Sequence, residues 1–128
     1  MMTCDPPASA PATVETILLV DDDLLLLEAV GFLVQRLGYH AVTAATGEEA
    51  LALLEAGLAP CLVILDMDMP GLGGAGTLPR LRRLRPDLPV LISTGGNNPV
   101  VAQLLASHPG VSLLPKPYGL QELRARLT

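Results

Sequence analysis

Apolar and polar positions divide the chain into two zones. Residues 1–16 are rich in Pro, Ala, Ser and Thr and carry no hydrophobic period, which predicts a disordered leader. From Ile17 onward, short apolar runs alternate with longer amphipathic stretches. The runs lie at residues 17–20, 40–44, 61–65, 90–94 and 111–114. Most are continuous rather than alternating, which predicts strands covered on both faces, as in a parallel sheet. Between them, Leu26, Val30, Leu33 and Leu37 form a stripe at helical spacing, with Asp23 as cap and Gly38 as stop. Thr46 caps a short helix over residues 47–54. A third helix holds residues 80–85 and stops at Pro86. Gly76 and Pro79 disturb its start, so a shortened helix is expected, with Thr77 as a late cap and Pro79 in the first turn. Residues 99–107 make a fourth, and Leu120, Leu123 and Leu127 mark a fifth.

Five strands alternating with five helices through short loops predict an α/β fold with a parallel sheet. Right-handed crossovers place helices on both faces. Ligands bind such sheets at the carboxyl ends of the strands, where the strand order reverses.

Composition narrows the functional classes. At 128 residues the chain has the size of one domain, and half of it is apolar. Aromatics are limited to Phe32, Tyr39 and Tyr118, so the core must be Leu, Val, Ile and Ala. The net charge of −5 argues against nucleic-acid binding by the domain itself, because a phosphate backbone needs a basic face. No apolar run reaches the roughly 20 residues that span a bilayer, and residues 1–16, with no basic n-region and no apolar h-region, are not expected to be a secretory signal. Cys4 and Cys61 sit in such different settings that no disulfide framework is expected, and a cytoplasmic location fits. Arg80, Arg82, Arg83 and Arg85 read as a solvated helix face. His40 and His108 have no ligand spacing. Lys116 is the single lysine and sits in an apolar context, where a compact point charge is one thing an arginine could not supply.

The strand ends carry the candidate chemistry. Asp21, Asp22 and Asp23 follow the first strand, Asp66 and Asp68 the third, Thr94 the fourth and Lys116 the fifth. Singly, each is a commonplace loop residue. Together, the fold brings four strand ends to one edge. Several carboxylates there repel one another, and a hard divalent cation resolves the conflict. Mg²⁺ is the natural choice, with Mn²⁺ an alternative. A hydroxyl and an ammonium complete a phosphate-binding set, and phosphoryl transfer needs little beyond positioning and charge neutralisation. Aspartate is a competent nucleophile for phosphorus.

The segments at residues 17–23, 63–71, 89–95 and 114–118 resemble the receiver domains of bacterial response regulators, of the chemotaxis-regulator type. The resemblance covers residues 17–127, with the domain taken as 17–128. It implies a flavodoxin-like, doubly wound sheet of strand order 2-1-3-4-5. It makes Asp66 the phosphoacceptor and a Mg²⁺ ligand, Asp22 a direct Mg²⁺ ligand, Asp21 a ligand acting largely through water, and the Asp68 backbone carbonyl a further ligand. Thr94 matches the switch hydroxyl, Gly95 the small residue that leaves room for the phosphoryl group, and Lys116 its cationic partner. A cis bond to Pro117 is implied. Asp68 and Gly96 match positions that tune phosphoryl lifetime, and Gly96 cannot shield the site. Leu113 departs from the pattern, since an aromatic switch residue is expected there. Gly73 also departs, replacing a polar residue before Gly74.

The function implied is a single-domain response regulator of a phosphorelay, not an enzyme in the turnover sense. It would take a phosphoryl group from a histidine kinase or histidine-phosphotransfer protein and alter the surface of its fourth helix, fifth strand and fifth helix. Its output would be a downstream protein target, with no direct nucleic-acid or membrane contact. Leu24 and Leu25, on a first helix too greasy to bury every side, mark a docking patch for the phosphodonor. Two other readings remain open. One is a degenerate receiver that binds partners without phosphorylation. The other is a haloacid-dehalogenase-type phosphatase, which Asp66-Met67-Asp68 resembles loosely.

Overall fold

The computed structural model describes residues 14–69, 71–96 and 99–127. Five strands, β1 (Thr16–Val20), β2 (His40–Ala44), β3 (Leu62–Asp66), β4 (Val90–Thr94) and β5 (Val111–Pro115), form one parallel sheet in the order β2-β1-β3-β4-β5. The connecting helices are α1 (Leu24–Arg36), α2 (Gly47–Glu55), α3 (Gly73–Leu84), α4 (Pro99–Ser107) and α5 (Leu120–Leu127). The parallel α/β sheet is the one expected from the alternation of runs and stripes, and its order is the flavodoxin-like one that the resemblance implies. Most of the predicted leader lies outside the described residues. Thr16, assigned to it, opens β1 instead and pairs in register with His40.

Successive side chains of a strand point to opposite faces, and two cores result. Leu18, Val20, Val63, Leu65, Val90 and Ile92 pack under α2, α3 and α4. Ile17, Leu19, Leu62, Ile64 and Leu91 pack under α1 and α5, joined by Val30, Val34, Leu123 and Leu127. The central strands β3 and β4 are buried at every position, while the edge strand β2 is mostly not. That explains why the β3 and β4 runs are continuous in sequence.

Local chemistry sets the element ends. Asp23 accepts from the Leu25 and Leu26 N–H groups at 3.1 and 3.2 Å and starts α1. Thr46 accepts from Glu49 N at 3.0 Å, and the Glu49 carboxylate accepts from Ala45 N, a reciprocal cap of α2. The core-facing line of α1 is Leu27, Val30, Gly31 and Val34, so the expected stripe is displaced: Leu26, Leu33 and Leu37 are only partly buried.

Helix α3 departs from expectation. It begins at Gly73, not late, and carries Pro79 in its interior. Thr77 does not cap it; its hydroxyl is buried and donates to Gly73 O, one turn back. Glycine at 74 brings this helix start against β3, since a Cβ there would lie 2.6 Å from Asp66 O and 2.8 Å from Met67 Cα.

The arginines of α3 are corrected too. Arg82 donates to the Leu88, Arg85 and Pro109 carbonyls, and Arg85 to Leu54 and Leu58 O at 3.0 and 3.2 Å. Arg85 thereby caps carbonyls at the end of α2 and in the turn that follows it. These two are internal staples, not a solvated face. Cys61, expected to be unpaired, is disulfide-bonded.

Candidate functional site

The register of a parallel sheet carries the β1, β3, β4 and β5 ends to a common edge, and the side chains that follow them meet there. Val20 pairs with Leu65, Asp66 with Ser93, and Thr94 with Pro115. Asp21 and Lys116 therefore flank Asp66. Lys116 Nζ donates to Asp21 Oδ2 at 3.0 Å and to Asp66 Oδ1 at 3.1 Å. The Asp68 N–H also donates to Asp66 Oδ1, at 3.1 Å. Asp21 Oδ1 accepts from Asp23 N at 2.9 Å. Asp66 is 2% exposed.

Burial pushes the Asp66 carboxyl above its ordinary range. The Asp68 N–H draws it back, the Asp21 charge adds to the rise, and Lys116 opposes it. For Lys116, burial pulls the ammonium down, but the hydrogen bonds to Asp21 and Asp66 prevail and hold it above its ordinary value. The pair is a buried charge held by one short-range cation.

Asp21, Asp22 and Asp66 each offer a carboxylate oxygen, and these oxygens lie within 4.8 Å of one another. A cluster of oxygen-only, anionic donors fits a hard divalent ion such as Mg²⁺. Asp22 is exposed, so a cation there would keep open coordination positions toward solvent.

Thr94 is buried at the end of β4, and its hydroxyl donates to Asp68 Oδ2 at 3.2 Å. Gly95 and Gly96 follow in open space, with nothing within 4 Å of a Cβ built at either. The Lys116–Pro117 peptide is cis. Leu113 is half-buried in β5, against the core beneath α2, α3 and α4.

Two polar residues without an assigned role also reach the site. Ser93 and Tyr118 line a small cavity together with Asp21 and Asp66. The Ser93 hydroxyl is buried and makes no hydrogen bond among the described residues. Burial pushes the Tyr118 phenol up to about 12, with the Asp21 charge adding. Register could have found Ser93, because it stands opposite Asp66. Nothing local marks Tyr118 beyond its place after Pro117.

A buried carboxylate at the end of β3, an acidic pair after β1, a hydroxyl after β4 and a lysine before a cis-proline after β5 define one family, and a profile of the response regulator receiver domain matches residues 17–128. The chain belongs to the response-regulator receiver family. As a receiver, it is 38% identical over 112 residues to the response regulator MprA of Mycolicibacterium vanbaalenii, covering 87% of this chain and 48% of that protein. It is 31% identical over 108 residues to the DNA-binding transcriptional regulator NtrC of Azospirillum brasilense, covering 84% of this chain and 22% of that one. The receiver thus spans half or less of these relatives. Among solved structures, the Vibrio cholerae chemotaxis protein CheY4 superposes with a TM-score of 0.78 at 27% identity, over 88% of this chain and 95% of its own. A CheY-like receiver domain of Methanospirillum hungatei gives 0.79 at 28%, over 89% and 90%. Receiver domains are phosphoacceptors of two-component systems that bind Mg²⁺ through acidic residues and interact with histidine kinases. Among the described residues of this receiver, no helix is long and apolar enough to cross a membrane.

Proposed function

We propose that Asp66 accepts a phosphoryl group from a phosphohistidine of a kinase or phosphotransfer protein. The observation that carries this reading is the Asp66 carboxylate, buried, held by Lys116 and the Asp68 N–H, and clustered with the carboxylates of Asp21 and Asp22. A carboxylate oxygen of Asp66 attacks phosphorus in line. A phosphorus–oxygen bond forms as the phosphorus–nitrogen bond to the donor imidazole breaks, and that nitrogen recovers a proton from solvent. Lys116 meets the charge that develops on the phosphoryl oxygens. Asp22, Asp66, the Asp68 carbonyl and, through water, Asp21 would hold Mg²⁺, which when bound neutralises phosphoryl charge.

The product carries roughly two added negative charges at the β3 end. Thr94 and Lys116 turn toward them, and the loops after β4 and β5 follow. Such a local charge event biases the surface of α4, β5 and α5. Gly95 leaves room for the phosphoryl group, and Gly96 leaves it open to water, so its lifetime is not unusually long. Leu113 supplies neither ring nor hydroxyl, so the switch rests on Thr94. Output runs through a downstream protein or onward phosphorelay rather than through nucleic acid held by this acidic domain.

The phosphodonor docks on α1. Leu24 and Leu25 are 68% and 79% exposed beside the site, and Phe32 is exposed further along the same helix. Apolar side chains so open to water suit a helical partner.

Incubation with phosphoramidate or acetyl phosphate, followed by intact mass, tests the chemistry. A Mg²⁺-dependent gain of one phosphoryl group, absent in Asp66→Asn, is expected. No gain under any condition would leave a binding module of fixed conformation.

A further inference from the structure

Asp68 stands between the nucleophile and the switch hydroxyl. Its backbone N–H holds Asp66 Oδ1, and its side-chain Oδ2 accepts from Thr94 Oγ1. The three residues differ in burial: Asp66 and Thr94 are closed off from water, whereas Asp68 is exposed. A threonine hydroxyl has one proton to give. The hydroxyl that serves a phosphoryl oxygen is therefore already committed to another anion while Asp66 is free.

We propose that the Asp68 carboxylate is a latch, a positioning residue that holds the Thr94 hydroxyl in the unphosphorylated protein and releases it by charge repulsion once Asp66 carries the phosphoryl group. This rests on the reading of Asp66 as phosphoacceptor. It is separate from any effect of Asp68 on phosphoryl lifetime, because it concerns where Thr94 points and not how water attacks.

Electrostatics and burial decide the direction of release. The modification adds roughly 1.5 to 2 negative charges on the residue to which the Asp68 backbone is bonded. Mg²⁺ and Lys116 offset part of that charge, and the remainder opposes the Asp68 carboxylate. Of the two, the Asp68 side chain can leave, since it is exposed and regains water when it turns away. Thr94 cannot follow it, being buried, and its hydroxyl would be left without a partner. The nearest new acceptor is the phosphoryl group itself. Charge thus breaks the old hydrogen bond and supplies the new one. Leu113 offers no polar atom that could compete for the hydroxyl in either state.

Two variants separate the hydrogen bond from the charge. Asp68→Ala removes both, and Asp68→Asn keeps an acceptor oxygen but no charge. Both sit at an exposed side chain. The full chain, labelled at threonine methyls and backbone amides, is compared by NMR without and with Mg²⁺ and beryllofluoride, a phosphoryl mimic, whose uptake is followed by fluorine NMR. In Asp68→Ala the Thr94 signals are expected part-way to their activated positions before any beryllofluoride is added. In Asp68→Asn they are expected at the wild-type resting positions, with a smaller displacement on activation. Thr94 signals of Asp68→Ala at the wild-type resting positions, or a full wild-type displacement in Asp68→Asn, would overturn the latch alone. A wild-type chain that takes up no beryllofluoride would overturn the phosphoacceptor reading and the latch with it.

Discussion

At the scale of single residues, the site stores an unfavourable charge. An acid raised above its ordinary pKa in the folded state binds its proton more tightly there than in the unfolded chain. Its ionisation therefore costs stability. The loss sets in as pH rises past the ordinary value of 3.8 and is complete above the folded value. Asp66→Asn should accordingly raise the urea midpoint at pH 7, and the advantage should vanish toward pH 3. A gain that is equal at both pH values would point to packing instead. The residues of the site were legible in the sequence because a parallel sheet collects its strand ends, so Asp21, Asp66, Thr94 and Lys116 could be placed together without knowing a distance. Ser93, Tyr118, Arg82 and Arg85 were not. Arg82 reaches the distant Pro109 carbonyl and Arg85 those of Leu54 and Leu58, and no local pattern records such partners.

At the scale of elements, α3 shows where local propensity yields. Gly76 and Pro79 read as a helix that starts late. The structure starts it at Gly73 because close approach is worth more there than propensity: Gly74 lies against the β3 backbone, and Thr77 lies against α2. A Cβ at Gly47 would fall 1.8 Å from Thr77 Oγ1 and 3.1 Å from Thr77 Cβ. Gly47→Ala should therefore cost about 1–3 kcal/mol, the range for overpacking. Adding Thr77→Ala should return part of that loss, with a coupling on the order of 1 kcal/mol in a double-mutant cycle. Strict additivity would mean that the two helices part freely. The strands, by contrast, matched their sequence runs to within a residue, most plainly at β3 and β4, where burial on both faces leaves an unbroken apolar signature.

At the scale of the whole molecule, two consequences follow from a charged edge beside an apolar helix. A ligand that binds only the folded state stabilises it by mass action, by about 2.7 kcal/mol at a hundredfold excess over Kd. Mg²⁺ should thus raise the Tm of the wild-type protein, and Asp22→Ala should blunt the rise; an equal rise in both would remove Asp22 from the cation site. Replacing Leu24 and Leu25 by Ser should slow phosphotransfer from a phosphohistidine donor while changing stability within about 0.5 kcal/mol, as is usual for exposed positions. Unchanged transfer would move docking off α1. The central claim is narrower than either, namely that Asp66 itself carries the phosphoryl group. Borohydride reduces an aspartyl phosphate to homoserine, so the protein treated with acetyl phosphate and Mg²⁺, reduced and digested, reports the modified position by peptide mass. The account predicts homoserine at 66 and at no other position. Homoserine at Asp21, Asp22 or Asp68, or none at all after phosphoryl uptake, would contradict it.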